Sequence, residues 1–210
     1  MRALRSGRFY FVLRAVAGRA AIAYNRVLLG TMAVVDRLSL LPTELRAGLI
    51  GAAVGTLAWF APGLVGGGDA ITQRTLIGAE TLASIPMAFL VRFVLGAVSY
   101  AARTPGGLFA PMLVLGAQLG LSFGIICGMA FPVLHIQPEG FAIVGMAALF
   151  TGIVRAPLTG IVLVTEMTAS VTMLLPMLGA CFVAMLVPTL LRDPPIYDSL
   201  SEAHRDSRSR

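Results

Sequence analysis

A succession of apolar runs of unequal length, each cut by glycine or proline, is what most constrains this chain. Residues 85–102, 108–133 and 173–191 are long enough to cross a bilayer, which takes about 20 helical residues. Residues 141–154 and 157–167 are too short to span, and 71–84 is too short and too polar. Irregular backbone at membrane depth is tolerated only where protein or water covers it, and broken helices aim their ends at ions or substrates. The pattern therefore predicts a transporter or channel rather than a simple anchor.

Composition supports the same class. Of 210 residues, 57% are apolar and 12% charged, against about 25% charged in soluble domains. Disorder, a coiled coil and an ordinary cytosolic enzyme are excluded. The 16 cations are all arginine and leave a net charge of +6. Nucleic-acid binding does not follow, because these arginines lie at the two ends and between apolar runs. Arg2, Arg5, Arg8, Arg14 and Arg19 at one end, and Arg192, Arg205, Arg208 and Arg210 at the other, read as cytoplasmic flanks. Arg14 and Arg19 also interrupt the first apolar stretch, so no cleavable signal is expected. Residues 9–35 read as a long helix with a polar face, or as a helix whose true start is lost. Cys127 and Cys181 each sit in an apolar run and read as small packed residues, not as a disulfide or a metal site.

Glycines 116, 120, 124 and 128 recur every fourth residue, so they share one helix face and predict close helix approach. Pro132, the His135 region and Pro138 are expected to close that segment. Residues 45–60 form another helix, carrying Gly48, Gly51 and Gly55. Pro62 ends it, and Gly66, Gly67 and Gly68 make a turn or re-entrant loop.

Three segments carry candidate chemistry. Gly106-Gly107-Leu108-Phe109-Ala110-Pro111 places a glycine pair before a helix start, with a proline in its first turn. Free backbone N–H groups and the helix dipole make such a start an anion site without a full cation. By itself the segment reads more readily as a Gly-Pro hinge between helices. Arg155-Ala156-Pro157-Leu158-Thr159-Gly160 repeats the proline at a helix start, with Arg155 placed to bond carbonyls freed at the end of the preceding helix. Glu166 is either a functional acid at membrane depth or a helix-end residue at the interface, and the second reading is preferred. Tyr197 in Pro194-Pro195-Ile196-Tyr197 offers an uncharged hydrogen-bond donor or an interfacial anchor, and from the segment alone the anchor is preferred. His135 and His204 lack ligand-like spacing, so no metal is expected.

These segments, in this order, closely resemble the CLC family of chloride channels and chloride/proton exchangers. The residues that carry the resemblance are Gly107-Leu108-Phe109-Ala110-Pro111, Arg155-Ala156-Pro157-Leu158-Thr159-Gly160, Glu166-Met167-Thr168 and Tyr197, at intervals like those of the bacterial exchangers. The stretches APGLVGGGD, FAPMLVLGAQLG and FAIVGMAALF agree. The resemblance implies an all-α polytopic membrane fold of tilted, uneven and re-entrant helices. It implies chloride as the transported ion, with no cofactor. Leu108 and Phe109 would bind it through backbone N–H groups and Tyr197 through its hydroxyl. Residues from 157 to about 191 would supply much of a homodimer interface.

The match begins near the middle of a family member. Residues 1–195 are therefore expected to be the C-terminal half of the transmembrane domain, with about 8–10 helices, and 196–210 a cytoplasmic tail without a regulatory domain. The family's Ser anion loop, Gly-Arg-Glu-Gly-Pro segment and proton glutamate have no counterpart in this sequence. Alone, the chain should not couple chloride to protons. It is expected to need a second copy or a missing N-terminal half, in a bacterial inner or plasma membrane with both termini cytoplasmic. The competing expectation is a non-transporting remnant or assembly module that pairs with a full-length subunit.

Overall fold

A computed structural model describes residues 2–37, 42–65, 69–77, 84–102 and 107–208. Among them the fold is all-α. The helices are α1 (Arg2–Arg37), α2 (Thr43–Phe60), α3 (Asp69–Leu76), α4 (Ile85–Ala101), α5 (Phe109–Ala130), α6 (Pro138–Val154), α7 (Pro157–Thr168), α8 (Leu174–Leu190) and α9 (Ile196–Arg208). The turn or loop expected at Gly66–Gly68 lies outside the described residues.

Helix α6 is the centre of the molecule and packs against α5, α8, α1 and α7. From Gly140 to Ile153 every residue but Ile143 is buried. A helix apolar on all sides belongs in a protein core such as this or in a bilayer. Phe141, Phe150, Met146 and Leu149 fill the space around it, with Met112 and Leu115 from α5 and Tyr24 and Leu28 from α1.

The glycine face of α5 lies against α6. A Cβ built on Gly116 would stand 2.6 Å from the Gly145 carbonyl oxygen, and one on Gly124 would stand 2.8 Å from the Pro138 Cα. At Gly120 it would overlap the Phe141 carbonyl. Gly128 departs from the expectation, since nothing lies within 4 Å of its built Cβ. The reason is Pro138. It does not close the preceding segment but opens α6, where its missing N–H costs little, and α6 therefore starts opposite Gly124.

The first apolar stretch is one continuous helix, but not with all its arginines on a polar face. Arg19 and Arg26 are exposed, whereas Arg14 is buried. The Arg14 guanidinium lies 2.8 Å from a Cβ built on Gly179 of α8, so the missing side chain at Gly179 makes room for it. Cys127 and Cys181 are packed inside α5 and α8. The polar tail is also a helix: Ile196, Ser199 and Leu200 recur at helical spacing and bury the first turn of α9.

Residues Phe109–Ala130 and Val171–Leu190 are long and apolar enough to cross a membrane. Large apolar side chains remain exposed, including Trp59 and Phe60 on α2 and Leu175, Leu178, Phe182, Leu186 and Leu190 on α8. Apolar surface so extensive suits lipid or protein better than water.

Candidate functional site

Helix α5 begins as the sequence predicts. Leu108 is its N-cap and makes no side-chain cap hydrogen bond, and no acidic residue occupies the first turn. Met112 donates the first helical bond, 3.2 Å to the Leu108 carbonyl. The amides of Phe109 and Ala110 therefore have no acceptor within the helix, and Pro111 has no amide to satisfy. Partial positive charge collects at such an end, unopposed here by a carboxylate of the same turn. Leu108 is buried while Gly107 and Phe109 are exposed, so this end is open on one side. Gly106 lies outside the described residues.

Tyr197, far along the chain, arrives at this end. Its ring centroid is 6.4 Å from that of Phe109, and Phe109 in turn lies 5.3 Å from the ring of Phe150 on α6. Helix α9 lies outside the apolar spans, and Tyr197 is 41% exposed. Partial burial, and then the neighbouring Tyr100, raise the pKa of its phenol above the ordinary value. The hydroxyl therefore stays protonated at neutral pH and remains a donor. Backbone amides and a neutral phenol together can bind an anion without the tight grip of a full cation.

Polar contacts hold the joint between α8 and α9 that delivers Tyr197. Arg155 lies between α6 and α7, with φ 64° and ψ 28°, and its N–H bonds the Thr151 carbonyl at 2.8 Å. Its guanidinium does not turn back onto α6, which corrects the expectation. It bonds the Asp193 carbonyl and, at 3.2 Å, the Thr189 hydroxyl, because the left-handed backbone points the side chain toward α8. From α1, the Asn25 amide donates to the Asp193 carboxylate at 3.4 Å and to the Pro194 carbonyl at 3.5 Å. Arg26 pairs with the same carboxylate at 3.6 Å. The Asp193 N–H closes the joint on the Pro188 carbonyl at 3.0 Å.

The structure thus brings Phe109, at the helix start that also holds Leu108, Ala110 and Pro111, to Tyr197, and ties Arg155 to the joint four residues before that tyrosine. Pro157 is the first residue of α7, as its spacing predicts. Glu166 is exposed in the last turn of α7, a placement that suits a helix-end residue. Asn25 and Asp193 were not foreseen. The available signals were an asparagine inside an apolar run and an aspartate directly before Pro194-Pro195.

Comparison with known proteins gives the same assignment from several directions. The profile of the family described as "Voltage gated chloride channel" matches residues 4–189. The chain is 39% identical over 194 residues to the H(+)/Cl(-) exchange transporter ClcA of Cronobacter sakazakii, covering 91% of this chain and 42% of that protein. It is 40% identical over 152 residues to ClcA of Vibrio parahaemolyticus, covering 72% of this chain and 32% of the relative. Among solved structures, a slow cyanobacterial Cl-/H+ antiporter superposes with a TM-score of 0.90 at 32% identity, over 99% of this chain and 49% of the antiporter. A eukaryotic CLC transporter shares the fold, with a TM-score of 0.79 at 22% identity. The chain spans about two fifths of the length of the first curated relative. A profile match over most of its length, on an all-α fold of the same shape, makes this chain a membrane protein of the voltage-gated chloride channel family.

Proposed function

We propose that this chain supplies the C-terminal half of a chloride transport protein of the CLC type, in which the start of α5 and Tyr197 hold the ion. The observation that carries this reading is the convergence of Tyr197 on Phe109 at a helix start with amides unpaired within the helix. Phe109 and Leu108 contribute backbone amides and Tyr197 its hydroxyl. The activity is transport of chloride, not catalysis, and no cofactor is required. Residues 1–195 form the half-domain, and 196–210 lie on the cytoplasmic side of a bacterial inner membrane. The curated relatives' names favour proton-coupled exchange for the assembled protein.

Half an ion cage needs completion by a second copy or by an N-terminal half. The exposed apolar faces of α2, α7 and α8 support such a requirement. Chloride efflux from liposomes tests it, with the purified chain reconstituted alone and with the N-terminal half of a curated relative. Flux in the completed assembly is expected. No flux in either preparation, with folding and insertion verified, sinks the transport reading and favours an assembly module. Within the active assembly, Tyr197→Phe should weaken chloride binding about fivefold, the loss of a hydrogen bond worth roughly 1 kcal/mol. Calorimetry showing unchanged affinity would remove Tyr197 from the ion site.

A further inference from the structure

We infer that Asn25, Asp193 and Arg155 are positioning residues for Tyr197: they latch the α8–α9 joint to α1 and to the α6–α7 turn, and so set where the phenol stands. This inference rests on the reading of Tyr197 as an anion ligand and names what fixes that ligand.

Asp193 lies four residues before Tyr197, separated from it only by Pro194, Pro195 and Ile196. The two prolines have fixed φ and leave little freedom between the joint and the ring. Whatever fixes Asp193 and Pro194 therefore fixes the start of α9. Three elements converge on this short stretch. Asn25, 2% exposed, reaches it from α1 and touches both the Asp193 carboxylate and the Pro194 carbonyl. Arg155 reaches it from the α6–α7 turn and takes the Asp193 carbonyl. The backbone of α8 takes the Asp193 N–H.

The Asp193 carboxylate is 9% exposed, so its polar contacts are sheltered from water, where they are worth most. Arg26 is 71% exposed and contributes less, as a solvated ion pair does. Beyond the joint, Ile196 is fully buried and pins the first turn of α9, and Tyr197 follows against Phe109. The latch touches no ion. Its effect on chloride passes through the position of one hydroxyl.

A double-mutant cycle separates this role from ordinary structural support. In the chloride-binding assembly, Asn25→Leu should weaken chloride affinity about fivefold, in the range set by losing a hydrogen bond or two. In a Tyr197→Phe background the same substitution should change affinity no further. An equal loss in both backgrounds overturns the inference. Asp193→Asn keeps an acceptor for Asn25 and should bind chloride within about twofold of the parent, while Asp193→Ala should lose about as much as Asn25→Leu.

The latch also has a readout that does not depend on chloride. With 3-fluorotyrosine placed at position 197, the fluorine resonance without chloride should shift or broaden in Asn25→Leu and Asp193→Ala, but not in Asp193→Asn. An unchanged resonance in Asn25→Leu and Asp193→Ala rejects the latch, even if one of them folds poorly. If the parent binds no chloride, the functional reading falls, and the fluorine spectrum still decides whether the latch places the ring.

Discussion

Helix α2 carries Gly48, Gly51 and Gly55, and helix α5 carries Gly116, Gly120 and Gly124, so both present a stripe of small residues on one face. In α5 each of the three would meet the backbone of α6 if it gained a Cβ. In α2 each faces open space, with nothing within 4 Å. The stripe permits close approach, but it does not supply the neighbour. In α5 the neighbour is the α6 backbone at Gly145, Phe141 and Pro138, which lies directly against the stripe. Among the described residues, helix α2 packs against α4 and the turn that follows it, and reaches α1 through the Arg46 guanidinium, which donates to the Val35 carbonyl at 3.1 Å.

The largest expected effect breaks the α5 seam outright. Gly120→Leu drives a branched side chain into the Phe141 backbone, and loss of the folded protein is expected in detergent. Normal expression with an unchanged melting profile would show that the helices do not approach closely there. Gly145→Ala adds only a methyl to the same seam, where its Cβ would overlap the Gly116 carbonyl oxygen and stand 2.9 Å from the Gly120 Cα. A destabilisation of about 1–3 kcal/mol is expected, as for other overpacked contacts. Thermal melting of this variant sharpens the comparison, because it measures the seam without abolishing it.

The smallest effects should carry the opposite sign. Gly128→Ala on α5 and Gly51→Ala on α2 add a methyl where there is room and improve helix propensity by up to about 1 kcal/mol. Melting temperatures equal to or slightly above the parent are expected for both. A clear drop for Gly51→Ala would mean that the α2 stripe is a contact face after all, and the contrast with α5 would fail.

Much of this was legible locally. The four-residue glycine period marked the α5 face, and Pro111 and Pro157 marked two helix starts to within two residues. Where the stripe stops being used was not legible. Gly128 looks like its three predecessors, and only the start of α6 at Pro138 excludes it. The candidate ion site divides in the same way. A helix start and a tyrosine are visible as types, but no spacing shows that Tyr197 reaches Phe109. Asn25 and Asp193 are 168 residues apart, and nothing near either indicates the other. Arg155 was recognisable as a structural cation, yet its partner lies across the fold and not on its own helix.

The backbone at Arg155 has a consequence of its own. Its φ of 64° lies in the region that glycine occupies freely and that costs another residue about 1 kcal/mol. Glycine would remove that backbone cost, but it would also remove the guanidinium bonds to the Thr189 hydroxyl and the Asp193 carbonyl. The partner that offsets the strained backbone lies 38 residues downstream, at the Asp193 carbonyl. Arg155→Gly would relax the turn but release the Asp193 carbonyl and the Thr189 hydroxyl, so a local gain in backbone freedom would be set against a looser joint beside Tyr197.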